Sequence, residues 1–312
     1  MRILFLTHTF NSLTQRLHAE LTARGHEISV EFDIADSVAE EAVELFRPDL
    51  ILAPYLRRAI PESIWKKHLC LIVHPGIVGD RGPSALDWAI MDGEAEWGVT
   101  VLQAEAEMDA GPIWATEPFK LRPATKASLY RNEVTEAACL AVLTALERIE
   151  NGLFKPLPLA AVKDAKGSLR PLMRQVDRAI DWQRDGSATV LAKLRAADGF
   201  PGVADLMFGE ACHLFDAHAE SVIRGGAGSK PGDVIGRRET ALLRATVDGA
   251  VWIGHVKRSG EGAVKLPAAQ AFAAQALILP ELPLPGWWAV AGETWQDIRY
   301  QEAGEVGFLH FD

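Results

Sequence analysis

Cysteine is scarce in this chain. Cys70, Cys139 and Cys212 are the only three in 312 residues, they lie far apart, and none forms a CxxC pair. A disulfide framework or a zinc ribbon therefore has little support, no metal site is expected, and a reducing cytoplasm is the simplest setting. Long apolar runs are missing as well. No uninterrupted stretch approaches the roughly 18 residues of a membrane span, and the opening MRILFLTHTF turns polar after Leu6, too soon for a signal peptide. Basic charge is the third deficit: 32 Lys and Arg against 42 Asp and Glu leave a net charge of −10, which argues against a protein built to coat a polyanion. What is present, 48% hydrophobic and 24% charged residues over 312 positions, suffices for two globular domains.

The first half alternates strand and helix signals. The apolar run Ile3 to Leu6 leads through a polar loop into Leu13, Leu17 and Leu21 at helical spacing, with Gly25 as the stop. HEISVEFDI predicts a second strand, Ser37 to Phe46 a helix stopped by Pro48, and DLILAPY a buried third strand. CLIVHP and GVTVLQAE follow as strands around the helix SALDWAIMDG, and one long helix runs from Lys126 to Gly152. Such alternation implies a Rossmann-like α/β domain with a parallel sheet built by right-handed crossovers. We place that domain at residues 1–158. Residues 153 to 171 hold Pro156, Pro158 and Pro171 with little periodicity, which predicts a linker on its surface.

From Ile180 the character changes. After a helix over Ala188 to Ala197, the segments ACHLFDAHAE, GDVIGRRE, ALLRATV and AVWIGHVKR are short strands separated by turn signals, as in a small antiparallel β-barrel. With its linker this second domain spans 159–272. His213, His218 and His255 within it lack metal-ligand spacing and read as structural. Residues 273–312 form a Pro-rich connector, LPELPLPGWW, and a hairpin, IRYQEAGEVGFLHFD, that reads as the start of a further domain. Charge divides unevenly: 15 basic against 23 acidic residues, net −8, in 1–160, and 16 against 13, net +3, in 161–272.

In a doubly wound sheet, ligands gather outside the carboxyl ends of the strands. Three such ends are polar here: THTFNS, HPGIVGDRGPS and EAEMDAGP. His74 and Asp109 are the His/Asp pair at adjacent ends, the makings of a general acid/base unit or of a donor to an oxyanion. The residues alone also allow a structural strand-end histidine and an Asp-x-Gly turn.

The run LIVHPGIVGDRGPSALDWAIMDGEAEWGVTVLQAEAEMDAGPI resembles the catalytic stretch of the 10-formyltetrahydrofolate-dependent formyltransferases. His74 matches that family's His, Arg81-Gly82 its Arg-Gly, Gly98-Val99-Thr100 its Gly-Val-Thr, and Met108-Asp109-Ala110-Gly111 its Leu-Asp-x-Gly. The second domain, from AIDW to AAQAF, is similar to the OB-like barrel of methionyl-tRNA formyltransferases. The chain resembles most the N-terminal part of the HypX/HoxX hydrogenase-maturation family, in which a crotonase-like domain follows. The terminal hairpin would be the first piece of that domain.

The resemblance implies 10-formyltetrahydrofolate as cosubstrate, with His74 donating to the formyl oxygen and Asp109 orienting it and accepting the proton. It places the pterin along Tyr55, Leu56, Arg57 and Ala59, along Gln103 to Met108, and beside the Gly76, Ile77, Val78, Gly79 loop. The family's Asn is Ile72 here, and its Ser-Leu-Leu-Pro is Gly76 to Gly79. Losing one oxyanion donor costs about 2.7–4 kcal/mol of barrier, a loss that a thiol nucleophile tolerates better than an amine. Methionyl-tRNA formyltransferases carry a basic insertion after the second strand, where EFDIADSVAEEAVELF is acidic. Nucleic acid is thus not the expected partner. The acceptor implied is coenzyme A, with Gln15 and Arg131 on its phosphates near the first helix N-terminus, and the product would feed carbon monoxide synthesis for a [NiFe]-hydrogenase. A small amine as acceptor, or a silent folate-binding module, are the alternatives.

Overall fold

A computed structural model describes residues 1–220, 223, 229–282, 289–290, 293–294 and 298–311. The chain divides into two compact units, residues 1–180 with 189–205, and residues 181–188 with 206–312. Among the described residues no helix is long and apolar enough to cross a membrane.

The first unit is a Rossmann-like α/β domain. Its strands are β1 (Arg2–Thr7), β2 (Glu27–Phe32), β3 (Leu50–Ala53), β4 (Cys70–His74), β5 (Glu96–Gln103) and β6 (Ile113–Lys120), in the order β2-β1-β3-β4-β5-β6. Alternation of side chains across the sheet loads both faces. Ile3, Phe5, Leu71, Val73, Val99 and Val101 face one core with Leu13, Leu17 and Leu21 of α1 (Ser12–Ala23). Leu4, Leu6, Ile51, Ala53 and Cys70 face the other with Ala39 and Val43 of α2 (Asp36–Phe46).

The sheet is parallel from β2 through β4, as the alternation predicts. Past that point β4 pairs antiparallel with β5, and β5 antiparallel with β6, a strand the sequence reading did not anticipate. Pro118 within IWATEPFK demotes that run as a strand, and the structure accommodates it because β6 is an edge. The long helix is also interrupted. It starts as α5 (Lys126–Leu129), widens into a π turn over Tyr130–Val134, and resumes as α6 (Thr135–Asn151). Side chains take up carbonyls in this stretch: the Thr135 hydroxyl donates to Tyr130 C=O at 2.8 Å and the Asn132 amide to Ser128 C=O at 2.8 Å.

The stretch expected to lie on the surface as a linker is largely exposed, and its last residues, 167–171, are tied down. Gly167 N–H donates to Val78 C=O, Arg81 N–H to Ser168 C=O, and Arg170 N–H to Arg81 C=O. Trp88 of α4 (Ala85–Asp92) donates its indole N–H to Pro171 C=O, and the Met173 N–H reaches the Ser84 hydroxyl. Arg178 is fully buried and pairs with Asp87 at 3.2 Å, which Lys126 also meets at 3.0 Å.

The second unit carries an antiparallel sheet in the order β7-β8-β11-β10-β9, with β12 on β11, the strand content of the expected small barrel. The ranges are Val203–Met207, Glu210–Ala219, Val234–Arg238, Ala241–Ala245, Ala250–Arg258 and Lys265–Pro267 for β7 to β12. Asp216 joins His218 and His255, each at 2.9 Å, and these hydrogen bonds, His218 foremost, hold its carboxyl down at about 2. Ile298–Ala303 and Val306–Phe311 pair as the terminal hairpin. Most of the Pro-rich connector, including Trp287 and Trp288, lies outside the described residues.

Candidate active site

His74 is the last residue of β4 and points to the same face as Ile72, two residues earlier. Ile72 is half-buried and packs against the core of that face, so the position that holds Asn in the family offers no donor here. His74 itself is 4% exposed. Its Nδ1 lies 3.6 Å from Asp109 Oδ2, so the two predicted catalytic residues do come together, at a separation just beyond a hydrogen bond. Asp109 sits in the β5–β6 loop with φ of 52° and accepts a hydrogen bond from Gly82 N–H at 3.0 Å.

The third member of the cluster is Asp80, which sequence reasoning missed. Its Oδ1 lies 2.8 Å from His74 Nε2, and its side chain is 3% exposed. The glycines of the loop make this approach possible. A Cβ on Gly76 would overlap His74 Nε2 and crowd Asp80 Oδ1, and a Cβ on Gly167 would overlap the Asp80 backbone nitrogen. Thr100 ties the loop down through Gly76 C=O at 2.8 Å, and Trp97 does so through Pro75 C=O at 2.9 Å. The one trace in the sequence is the pair Gly76 and Gly79 just before Asp80, which by itself reads as a turn.

The other predicted residues differ in burial. Ile77 is half-buried and packs into the core beside Gly98, while Gly79, at φ of 90°, lies against Ala165 and Gly167. Gln103 closes β5 and accepts from the Trp114 indole at 3.4 Å, whereas Met108 is 58% exposed. Tyr55 C=O accepts from His8 N–H and from the Thr7 hydroxyl, Leu56 packs on the core behind it, and Ala59 is exposed.

Arg57 N–H and Arg58 N–H donate to Asp33 Oδ2 at 3.0 and 3.1 Å, and Asp33 Oδ1 holds His8 Nδ1 at 2.8 Å. This His8–Asp33 pair lies beyond the first two strands and was also not anticipated. Nearby, the Asn11 amide donates to the Tyr130 hydroxyl at 3.3 Å, and burial pushes that phenol above its ordinary range. Cys70, buried at the start of β4, is likewise pushed up by burial, to about 12.

The acceptor-side candidates are less constrained. Gln15 is exposed on α1 and donates to Phe10 C=O at 2.9 Å. Arg131 is exposed in the π turn and lines a cleft of about 680 Å³ with Ser12, Arg16, Phe119 and Glu136. That cleft includes neither Gln15 nor any of His74, Asp80 and Asp109. Among the described residues, no group of three or more His, Cys, Asp or Glu side chains could hold a metal ion.

A Rossmann-like domain with a buried His–Asp pair at its strand ends, followed by an antiparallel domain, defines a class, and comparison with known families agrees. Residues 31–146 match the family described as formyl transferase, and residues 172–273 match the formyl transferase C-terminal domain. The chain belongs to the formyl transferase family.

Within it, the chain is 55% identical over 311 residues to the hydrogenase maturation factor HoxX of Bradyrhizobium diazoefficiens, covering 100% of this chain and 53% of that protein. The crystal structure of HypX from Aquifex aeolicus in complex with tetrahydrofolic acid superposes with a TM-score of 0.88 at 47% identity, over 100% of this chain and 54% of that one. The methionyl-tRNA formyltransferase of Roseiflexus castenholzii is 30% identical over 244 residues, covering 76% and 74% of the two chains. This chain therefore spans about half the length of HoxX and HypX.

Proposed function

We propose that this chain transfers a formyl group from 10-formyltetrahydrofolate to the thiol of coenzyme A. The observation that carries the reading is the buried His74–Asp109 pair, whose Nδ1 and Oδ2 lie 3.6 Å apart. Tetrahydrofolic acid in the similar HypX structure supports the donor. The pterin would lie along Tyr55, Leu56, Arg57 and Ala59, beside the Gly76, Ile77, Val78, Gly79 loop, and along Gln103 to Met108. Gln15 and Arg131 would hold the phosphates of the acceptor.

In the reaction the thiol sulfur attacks the formyl carbon and forms the S–C bond. Negative charge gathers on the formyl oxygen, to which His74 donates. The thiol proton passes to Asp109, directly or through water. Collapse breaks the bond between carbon and N10, which takes up a proton, leaving tetrahydrofolate and formyl-coenzyme A. Ile72 supplies no second oxyanion donor, so a thiol, partly ionised near neutral pH, suits this site better than a protonated amine.

Three residues, Asp33 to Ala35, join β2 to α2, with no basic insertion between them, and residues 1–160 carry net −8. Both features weigh against tRNA as the acceptor. The kinship with a hydrogenase maturation factor supports a place in hydrogenase maturation. That place would be the making of the carbon monoxide ligand of a [NiFe]-hydrogenase, in the cytoplasm, with a crotonase-like domain acting on the formyl thioester.

The test is to incubate the chain with 10-formyltetrahydrofolate and, in parallel, coenzyme A, an amino sugar, an amino acid or no acceptor, following tetrahydrofolate release. Release that requires coenzyme A is the expected result. Release that requires an amine would reassign the acceptor, and binding without any release would leave only a folate-binding module.

A further inference from the structure

Asp80 lies outside the family motif and outside every role assigned above, yet it makes the shortest polar contact of the catalytic histidine. A carboxylate accepts hydrogen bonds and donates none, so His74 Nε2, at 2.8 Å from Asp80 Oδ1, carries the proton of that pair. A neutral imidazole has one N–H, and with Nε2 engaged its lone pair sits on Nδ1. Nδ1 is the nitrogen that faces Asp109 across 3.6 Å, just beyond a direct hydrogen bond. Exposure follows the same division: the Asp80 side chain is 3% exposed and that of Asp109 11%.

We propose that Asp80 is a positioning residue. It fixes the proton on His74 Nε2, so that Nδ1 can take from Asp109 the proton the thiol has given up, donate it to the formyl oxygen and release it to N10 on collapse, and it balances the positive charge the ring carries in between. Asp109 is then freed from orienting the ring and works on the acceptor's proton alone. A buried carboxylate behind an imidazole performs this duty in hydrolytic triads, where its amide replacement puts the proton on the wrong nitrogen. The arrangement depends on two bare backbone positions, since side chains at Gly76 or Gly167 would intrude on Asp80 and His74. It also gives the Asp of HPGIVGDRG a chemical purpose where the family's Ser-Leu-Leu-Pro loop has been replaced.

This assignment rests on the formyl-transfer reading, and Asp80→Asn, which keeps the shape of the side chain, tests it with two readouts. The first is turnover of 10-formyltetrahydrofolate: kcat should fall on the order of 10²–10⁴-fold with KM for the folate little changed. The second is 15N NMR of the labelled imidazole, which needs no turnover. In the wild type the His74 proton should reside on Nε2, and in Asp80→Asn it should move to Nδ1 or be shared between the nitrogens. Melting curves of both proteins verify that the variant folds, and Asp80→Ser serves as a second variant if it does not. Turnover within threefold of wild type together with an unchanged Nε2–H signal would overturn the role of Asp80. If the wild type transfers no formyl group to any acceptor, the functional reading fails, while the imidazole spectra still decide what Asp80 does.

Discussion

The two ends of the catalytic edge differ in how far they are already built. At the β4 end, His74 is buried between Asp80 and Asp109, the loop that carries Asp80 is tied to β5 by Trp97 and Thr100, and residues 167–170 are bonded across its back. At the β1 end, Gln15 and Arg131 stand exposed, and Arg131 borders an open cleft. The difference teaches where specificity and rate reside. A reacting centre gains from groups held in place before the substrate arrives, whereas the phosphates of a long, flexible acceptor can be gathered by side chains that order on binding. The buried end should therefore govern kcat, and the exposed end the acceptor's KM.

The sharpest way to break this contrast is His74→Ala. Formyl transfer, followed as tetrahydrofolate release, should fall on the order of 10³-fold or more while folate binding measured by calorimetry persists. If the variant transfers formyl as well as wild type, His74 has no chemical role.

Next in size is a stability effect on the segment that backs the site. Asp87→Ala would leave buried Arg178 and its neighbour Lys126 without their shared carboxylate. The expected loss is about 3–5 kcal/mol in denaturant unfolding. Gly167→Ala should cost less, about 1–3 kcal/mol, because a methyl group must displace the Asp80 backbone. Unlike Asp87→Ala it should also depress kcat at temperatures where the protein remains folded. The mildest changes are Gln15→Ala and Arg131→Ala. Each should raise the acceptor's KM about tenfold, equivalent to roughly 1.4 kcal/mol, and leave kcat and the folate KM in place. A loss of kcat in either would erase the distinction between the ends.

How much of this was legible in the sequence follows from what each element leaves behind. The parallel strands and α1 announce themselves because burial on two faces forces apolar runs, and helical burial forces the Leu13, Leu17, Leu21 spacing. β6 left a weaker trace, since an edge strand tolerates Pro118 and exposes alternate residues. The π turn is invisible to a period count that continues through Tyr130. The docked stretch 167–170 is held by backbone hydrogen bonds, which need no side-chain pattern, and its one cue is the glycine at 167.

In the site, His74 and Asp109 could be paired through the motif each matches, although the shared strand end assumed a parallel β5: with β5 antiparallel to β4, Asp109 reaches His74 from the β5–β6 loop. Asp80 could not, because an Asp between Gly79 and Arg81 reads as a turn residue until the loop is folded back onto the histidine. The His8–Asp33 pair was hidden for a similar reason. It joins residues 25 apart that meet only once β1 and β2 lie side by side.

The central claim is that a thiol takes the formyl group beside the buried His74–Asp109 pair. Mixing the protein with 10-formyltetrahydrofolate labelled with 13C in the formyl carbon and with coenzyme A, then recording 13C spectra, tests it directly. The account predicts a formyl thioester signal that grows in step with tetrahydrofolate and is absent with His74→Ala. A formyl carbon that stays on the folate, or that moves to an amine while coenzyme A is ignored, would contradict it.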